Sequence, residues 1–311
     1  GNLYGAIEFY QKAKKAGIKP ILGCEMYIAS GRMRDKNPGV DDKRYHLTVL
    51  AKDYTGYQNL IKLVTQAHLE GFYYKPRVDK ALLGKHAEGL IVLSGCLTGE
   101  IPQAIRSGKL DRAEALIREY QDIFGAENFY LELGAHPNIP EQILVNKSLI
   151  ELSKKTGAKI VGVNDIHYAR RHDQNAQDIL VSIQTGSRVE DGERLSMKAD
   201  DFSMKSLQDM AEFFKDTPEA ITNTWEIAER VNLEIPLGKN LLPRFAVPDG
   251  YTAETYLEKL ARENLVRRYG AIAQNPGDPA AKPIFERLAY ELDVIAKTGF
   301  SSYFLIVHDF M

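Results

Sequence analysis

The sequence has 311 residues, enough for one large α/β domain and part of another. Its 40 basic and 42 acidic residues leave a formal net charge of −2, so the balance argues neither for nor against nucleic acid, and any DNA-binding face must be local. No run approaches the length of a membrane span, no secretory signal is visible, and two cysteines, Cys24 and Cys96, exclude a disulfide framework; a cytoplasmic protein with reduced thiols is the expectation.

The chain opens on Gly-Asn-Leu-Tyr-Gly, without Met, and runs at once into a helical pattern. Ala6 to Ala16 places Ile7, Tyr10 and Ala13 on one face, and Gly17 stops it. Pro20 to Ile28 reads as a strand, residues 31–43 as a polar loop, and His46 to Ala51 as a second strand. Helices are predicted over Asn59–Glu70 and Asp79–Leu83, then a strand over Leu90–Cys96. A helix over Leu110–Phe124 presents Leu116, Ile117, Tyr120, Ile123 and Phe124 and ends at Gly125. Phe129–Leu133 is a fourth strand, Glu141–Lys155 a helix and Ile160–Val163 a fifth strand. Short, mostly apolar strands alternating with helices predict a parallel sheet covered on both faces, either a barrel or an open doubly wound sheet. Further helices follow over Ser206–Phe214 and Pro218–Val231, with Ser206 and Thr217 as N-caps. Pro236 to Gly250, rich in Pro and Gly, marks a boundary. Two more helices, about Glu254–Tyr269 and Phe285–Thr298, precede the apolar SSYFLIVHDFM, which breaks off without a cap; both ends suggest a piece of something larger.

Chemistry in barrels gathers where strands deliver their C-terminal ends, and this favours the barrel here. Glu25 in GCEMY, Cys96 in LSGC, Glu132 in LEL, and Asp165 with His167 in VNDIH all lie near such ends. Asp165 and His167 are two apart, so extended backbone would point both to one side. His46 stands instead at the start of its strand, which an antiparallel strand or a longer approach loop would reconcile. Each residue also has a plain structural reading: Glu25 a lysine-paired carboxylate, Cys96 a small buried hydrophobe, Asp165 a strand-ending turn residue. His136 in AHPN reads as a turn residue outside the site. Together, carboxylate, imidazole and thiol suit Zn²⁺, Mn²⁺ or Fe²⁺.

Four long motifs, ILGCEMYI, RYHLTVLAKDYTGYQNLIKLV, GLIVLSGCLTGEIP and VGVNDIHYARRHDQNAQDILVSIQTG, resemble successive motifs of one bacterial family, the alpha subunits of the replicative C-family DNA polymerase III. The closing ELDVIAKTGFSSYFLIVHDFM is similar to the entry into that family's palm domain. The resemblance implies a polymerase-and-histidinol-phosphatase (PHP) domain over residues 1–240, a distorted (β/α) barrel incomplete at its N-terminus. Residues 241–311 would then be a linker and the helical start of the palm.

By that resemblance the metal ligands are Glu25, His46, Cys96, Asp165 and His167, in a site for two or three ions, with Glu132 demoted to core or a supporting role. The family adds a His-x-His motif and an Asp-His pair upstream of Gly1, and its palm aspartates downstream of Met311, so no catalytic polymerase residue is expected here. Gln177 and Ser182 stand where the family usually has His and Cys. The implied whole protein makes DNA on a primer-template with Mg²⁺, working with a proofreading subunit, a sliding clamp and a clamp loader, and without a membrane. The PHP site would bind Zn²⁺ or Mn²⁺, or Fe²⁺, and act as a 3′-to-5′ exonuclease. The alternatives are a non-catalytic scaffold that docks a proofreading subunit, or a small-molecule phosphatase.

Overall fold

The computed structural model describes residues 1–239, 243–275 and 277–311. Along the first part of the chain run α1 (Ala6–Lys15), β1 (Gly23–Ala29), β2 (Arg44–Ala51), α2 (Tyr54–Leu69), β3 (Phe72–Tyr73), β4 (Lys75–Val78), α3 (Lys80–Lys85) and β5 (Leu90–Leu93). Then come α4 (Glu100–Arg106), α5 (Leu110–Phe124), β6 (Phe129–Gly134), α6 (Pro140–Thr156), β7 (Lys159–Val163), α7 (Gln174–Thr185), α8 (Leu207–Phe213) and α9 (Glu219–Arg230).

The seven strands lie side by side in the order β3-β4-β1-β2-β5-β6-β7. The sheet is mixed, which corrects the parallel expectation. β2 is antiparallel to both β1 and β5, and β3 is antiparallel to β4, while the remaining neighbours are parallel. The reason is local: no helix intervenes between β1 and β2, so the chain returns beside itself without a crossover. Among the described residues the sheet is not closed, since β3 and β7 are its edges, as fits an incomplete barrel.

Pleating sorts the side chains of β1 and β2 onto two faces. Met26, Ile28, Leu47 and Val49 are buried on one, where α2 brings Leu60 and Leu63 against them. Glu25, Tyr27, His46 and Thr48 occupy the other. β5 and β6 are buried at every position, so their sequences LIVL and FYLELG show no alternation. α5 buries Ala113, Leu116, Ile117, Tyr120 and Phe124 at helical spacing and ends at Gly125, φ 84°. Ser206 caps α8 in a reciprocal box with Asp209. Thr217 is not the cap of α9; Pro218 holds that place without a side-chain bond.

The long loop between β1 and β2 is held by one buried arginine. The Arg77 guanidinium donates to the carbonyls of Gly71, Asp41, Met33 and Asp35, satisfying backbone that has no ladder partner there.

The chain divides into two compact units, Gly1–Ile235 and Pro236–Met311. The expected division at 240/241 lies outside the described residues. The second unit contains α10 (Ala253–Tyr269), α11 (Lys282–Thr298) and α12 (Ser301–Phe310), with α10 packed on both others. Among the described residues no helix is long and apolar enough to cross a membrane.

Candidate metal centre

The antiparallel register of β1 and β2 sets Glu25 opposite Thr48 and Tyr27 opposite His46. Glu25 and His46 are therefore diagonal neighbours on one face, close enough for long side chains to meet. His46 Nδ1 lies 2.5 Å from Glu25 Oε1 and 3.6 Å from Cys96 Sγ. Tyr27 packs its ring edge-on against the imidazole at 5.1 Å between centroids. Glu25 is the third residue of β1, in mid-strand and not at its C-terminal end. His46 belongs to the same place because β2 runs antiparallel.

Cys96 arrives on the loop after β5, beyond the strand that the sequence extended to it. Gly95 makes that approach: its φ is +81°, and a Cβ there would stand 2.5 Å from the His46 carbonyl oxygen. Sγ ends 3.1 Å from the Thr98 hydroxyl and 3.9 Å from Glu25 Oε1. One carboxylate oxygen, one ring nitrogen and one sulfur thus lie within 4.8 Å of one another. That mixed O, N and S set fits a divalent ion of borderline softness. Burial works against charge on His46, but its contacts with Cys96 and Glu25 carry its pKa up to about 9. The same His46 bond holds the Glu25 carboxyl below its ordinary value. A proton now shared in the triad is what an ion would displace.

Asp165 and His167 form a neighbouring pair after β7. Asp165 is not extended: its φ is 48°, in the left-handed region, so the pair sits on a turn. His167 Nδ1 lies 2.9 Å from the Asp165 carbonyl oxygen, which makes Nδ1 the donor and leaves Nε2 its lone pair. The two carboxylate oxygens of Asp165 face different imidazoles. Oδ1 is 3.7 Å from His167 Nδ1, and Oδ2 is 3.8 Å from His136 Nε2. His167 is among the groups whose proximity lowers the pKa of Glu25, after His46, so the pair lies within electrostatic reach of the triad.

A segment far along the chain clasps this turn. The His167 N–H donates to the Phe202 carbonyl at 2.9 Å, the Phe202 N–H donates to the Tyr168 hydroxyl oxygen at 3.0 Å, and Lys205 Nζ donates to Asn164 Oδ1 at 3.2 Å. Phe202 also lies edge-on to the His167 ring, 5.5 Å between centroids.

Two further side chains border the site. Glu132 forms a buried floor to the site: Thr48 donates to its Oε2 at 3.1 Å, and burial, with the charges of Asp165 and Glu25, pushes its pKa up to about 7. His136 does open a turn, with the Ile139 N–H donating to its carbonyl at 3.3 Å, but its side chain is turned inward. It lies two residues past the end of β6, is 3 % exposed, and lies against Phe202 with 4.3 Å between ring centroids. Burial lowers its pKa, favouring the neutral ring. Its other neighbour, the buried Asp200, was missed altogether. The strand-end rule that selected Asp165 would have selected His136 too; nothing in the polar run KADDF singled out Asp200.

Known proteins resemble this chain throughout. Residues 1–136 match the PHP domain family, and residues 255–311 match the family described as the bacterial DNA polymerase III alpha NTPase domain. The DNA polymerase III subunit alpha of Treponema pallidum is 42 % identical over 313 residues, covering all of this chain and 26 % of the relative. That of Borreliella burgdorferi is 43 % identical over 314 residues, covering 100 % and 26 %. That of Thermus aquaticus is 38 % identical over 365 residues, covering 100 % and 30 %. The chain spans between a quarter and a third of the length of these curated relatives. With matches of this identity from end to end, it belongs to the family of bacterial DNA polymerase III alpha subunits, as a fragment that carries the PHP domain.

Proposed function

We propose that the first part of this chain, residues 1–240, is a metal-dependent phosphoesterase domain within a replicative DNA polymerase, and that residues 241–311 are a linker and the start of the polymerase palm. The whole protein's activity is template-directed DNA synthesis. Its partners are primer-template DNA, a proofreading subunit, a sliding clamp and a clamp loader, and its place is the cytoplasm. No residue of this chain is assigned to nucleotidyl transfer, which takes Mg²⁺ at a site elsewhere.

The observation that carries the phosphoesterase reading is the grouping of Glu25, His46 and Cys96 within 4.8 Å, with Asp165 and His167 beside them. These five are the proposed ligands. Zn²⁺ or Mn²⁺, or Fe²⁺, bound there supplies Lewis acidity toward a phosphodiester and lowers the pKa of water. The chain's own residues do the rest. Asp165 offers its two oxygens in two directions, which suits it to bridge ions. Glu132, with a pKa pushed up to about 7, can hold a proton beneath the site near neutral pH. The reaction is 3′-to-5′ hydrolysis of a DNA end.

The test is made on the full-length protein, with bound metal and 3′-exonuclease activity measured together. In the unaltered protein both are present, and Asp165→Asn lowers both. Metal without hydrolysis at any primer end would leave the centre structural and the domain a scaffold. The scaffold reading has one observation of its own, the exposed Ile179, Leu180 and Ile183 on α7, which suit docking of a proofreading subunit. It predicts that substituting these three residues weakens that subunit's binding and leaves metal content unchanged.

A further inference from the structure

We propose that His136 is an additional metal ligand of this centre, oriented through its second ring nitrogen by the buried carboxylate of Asp200. The inference rests on the metal-centre reading above.

Sheet order places the end of β6 between the end of β5, which leads to Cys96, and the end of β7, which leads to Asp165. His136 leaves β6 at that position. It is 3 % exposed, and neither of its ring nitrogens has a hydrogen-bond partner among the described residues. Buried polar atoms are almost always satisfied, so a doubly orphaned imidazole points to a partner that the protein chain does not itself provide.

The surroundings decide which nitrogen faces that partner. Nδ1 lies 3.9 Å from Asp200 Oδ2, and Nε2 lies 3.8 Å from Asp165 Oδ2. These are opposite edges of the ring, so one ion cannot be shared by the imidazole and both carboxylates. The Asp200 side chain is 2 % exposed and already accepts from the Asn138 main-chain N–H, the Asn138 amide and the Asp201 N–H. It is built as an acceptor, and an Nδ1–H pointed at it completes the set. The Asp165 side chain is 36 % exposed and opens to the site. The Nε2 lone pair then points where Asp165 can share an ion with it.

This is the carboxylate–histidine–metal arrangement, in which the outer carboxylate sets the tautomer and the ring plane. Phe202 supports that plane from the side. With ligand bonds of about 2 Å, two ligand atoms on one ion stand roughly 3 to 3.5 Å apart. Nε2 and Oδ2, at 3.8 Å, need only a small closure. Lys205 is the cation that acts on His136, and it is itself bonded to Asn164 and to the Asp201 carbonyl. It can remain there while the imidazole is neutral.

The experiment measures Zn²⁺ affinity of the full-length protein by competition with a chromophoric chelator, and the melting of each metal-free variant. His136→Gln and Asp200→Asn are each expected to weaken Zn²⁺ binding by about 10- to 100-fold, with metal-free melting close to that of the parent. Asp165→Asn is the reference. If it weakens binding and His136→Gln leaves the affinity unchanged, the imidazole only packs on Phe202 and the proposal is overturned. If Asp165→Asn also leaves the affinity unchanged, the metal-centre reading itself fails, and this inference with it. Should His136→Gln not fold, Asp200→Asn decides alone by the same two outcomes.

Discussion

Glu132 shows how much a single position can depend on its depth. A carboxyl in FYLEL reads as one polar residue in an apolar strand, yet it is buried below Thr48 with Asp165 and Glu25 nearby. Its folded pKa, up to about 7, stands above the ordinary glutamate value of 4.5. Below the lower value both folded and unfolded chains are protonated, and the shift has no effect. As pH rises between the two values the unfolded chain loses its proton first, so folding stability falls, and above about 7 the loss is complete. Glu132→Gln should therefore stabilise the metal-free protein by roughly 2 to 4 kcal/mol at pH values above 7 and leave it unchanged below 4.5. Urea denaturation across that range measures it; an equal effect at every pH would mean that Glu132 is not the titrating group. At this scale the three side chains that the structure groups, Glu25, His46 and Cys96, were legible in the sequence. Glu25, Cys96, Asp165 and His167 were selected because metal-competent side chains lay near predicted strand ends, and His46, at a strand start, joined them through the family resemblance. His136 was passed over because Pro and Asn follow it and suggest a turn.

At the scale of elements, long periodic segments were readable and short or interrupted ones were not. α5 was bounded correctly because its apolar positions repeat at helical spacing up to Gly125. β4, KPRV, was not anticipated, since a strand of four residues containing Pro carries almost no pattern. The polar start of α2 was also missed: the helix begins at Tyr54, capped by Asp53, whose side chain accepts from the Gly56 N–H at 2.9 Å. Gly56 shows what docking requires there. A Cβ on it would lie 1.8 Å from the Gly89 carbonyl oxygen, main chain that cannot swing aside. Gly56→Ala should cost about 1 to 3 kcal/mol or more by forcing α2 away from the turn before β5. Thermal denaturation checks this, with Gly84→Ala as a control, because a Cβ at Gly84 meets nothing within 4 Å. Similar losses in both would leave the helix contact without special weight.

For the whole molecule, the division into Gly1–Ile235 and Pro236–Met311 leads to a prediction about autonomy. The sheet, α1 to α9 and every proposed ligand lie in the first unit. Residues 1–235 expressed alone should unfold in one cooperative transition and keep the Zn²⁺ affinity of the 311-residue chain. A molten or aggregated product would mean that the second unit is needed for the first to fold.

The sequence by itself determined the family, the alternation of strands and helices, and the residue types able to hold a metal. These are local properties: an apolar period, a glycine stop or a five-residue motif is written in consecutive positions. Only the tertiary structure decided that β2 runs antiparallel, which makes Glu25 and His46 diagonal neighbours. It also decided that Gly95 lets Cys96 reach them, and that residues 200–205 return to clasp Asp165 and enclose His136. Those facts depend on register, backbone handedness and contacts between distant segments. No periodicity records them, because each is set by packing that exists only once the strands have found their neighbours.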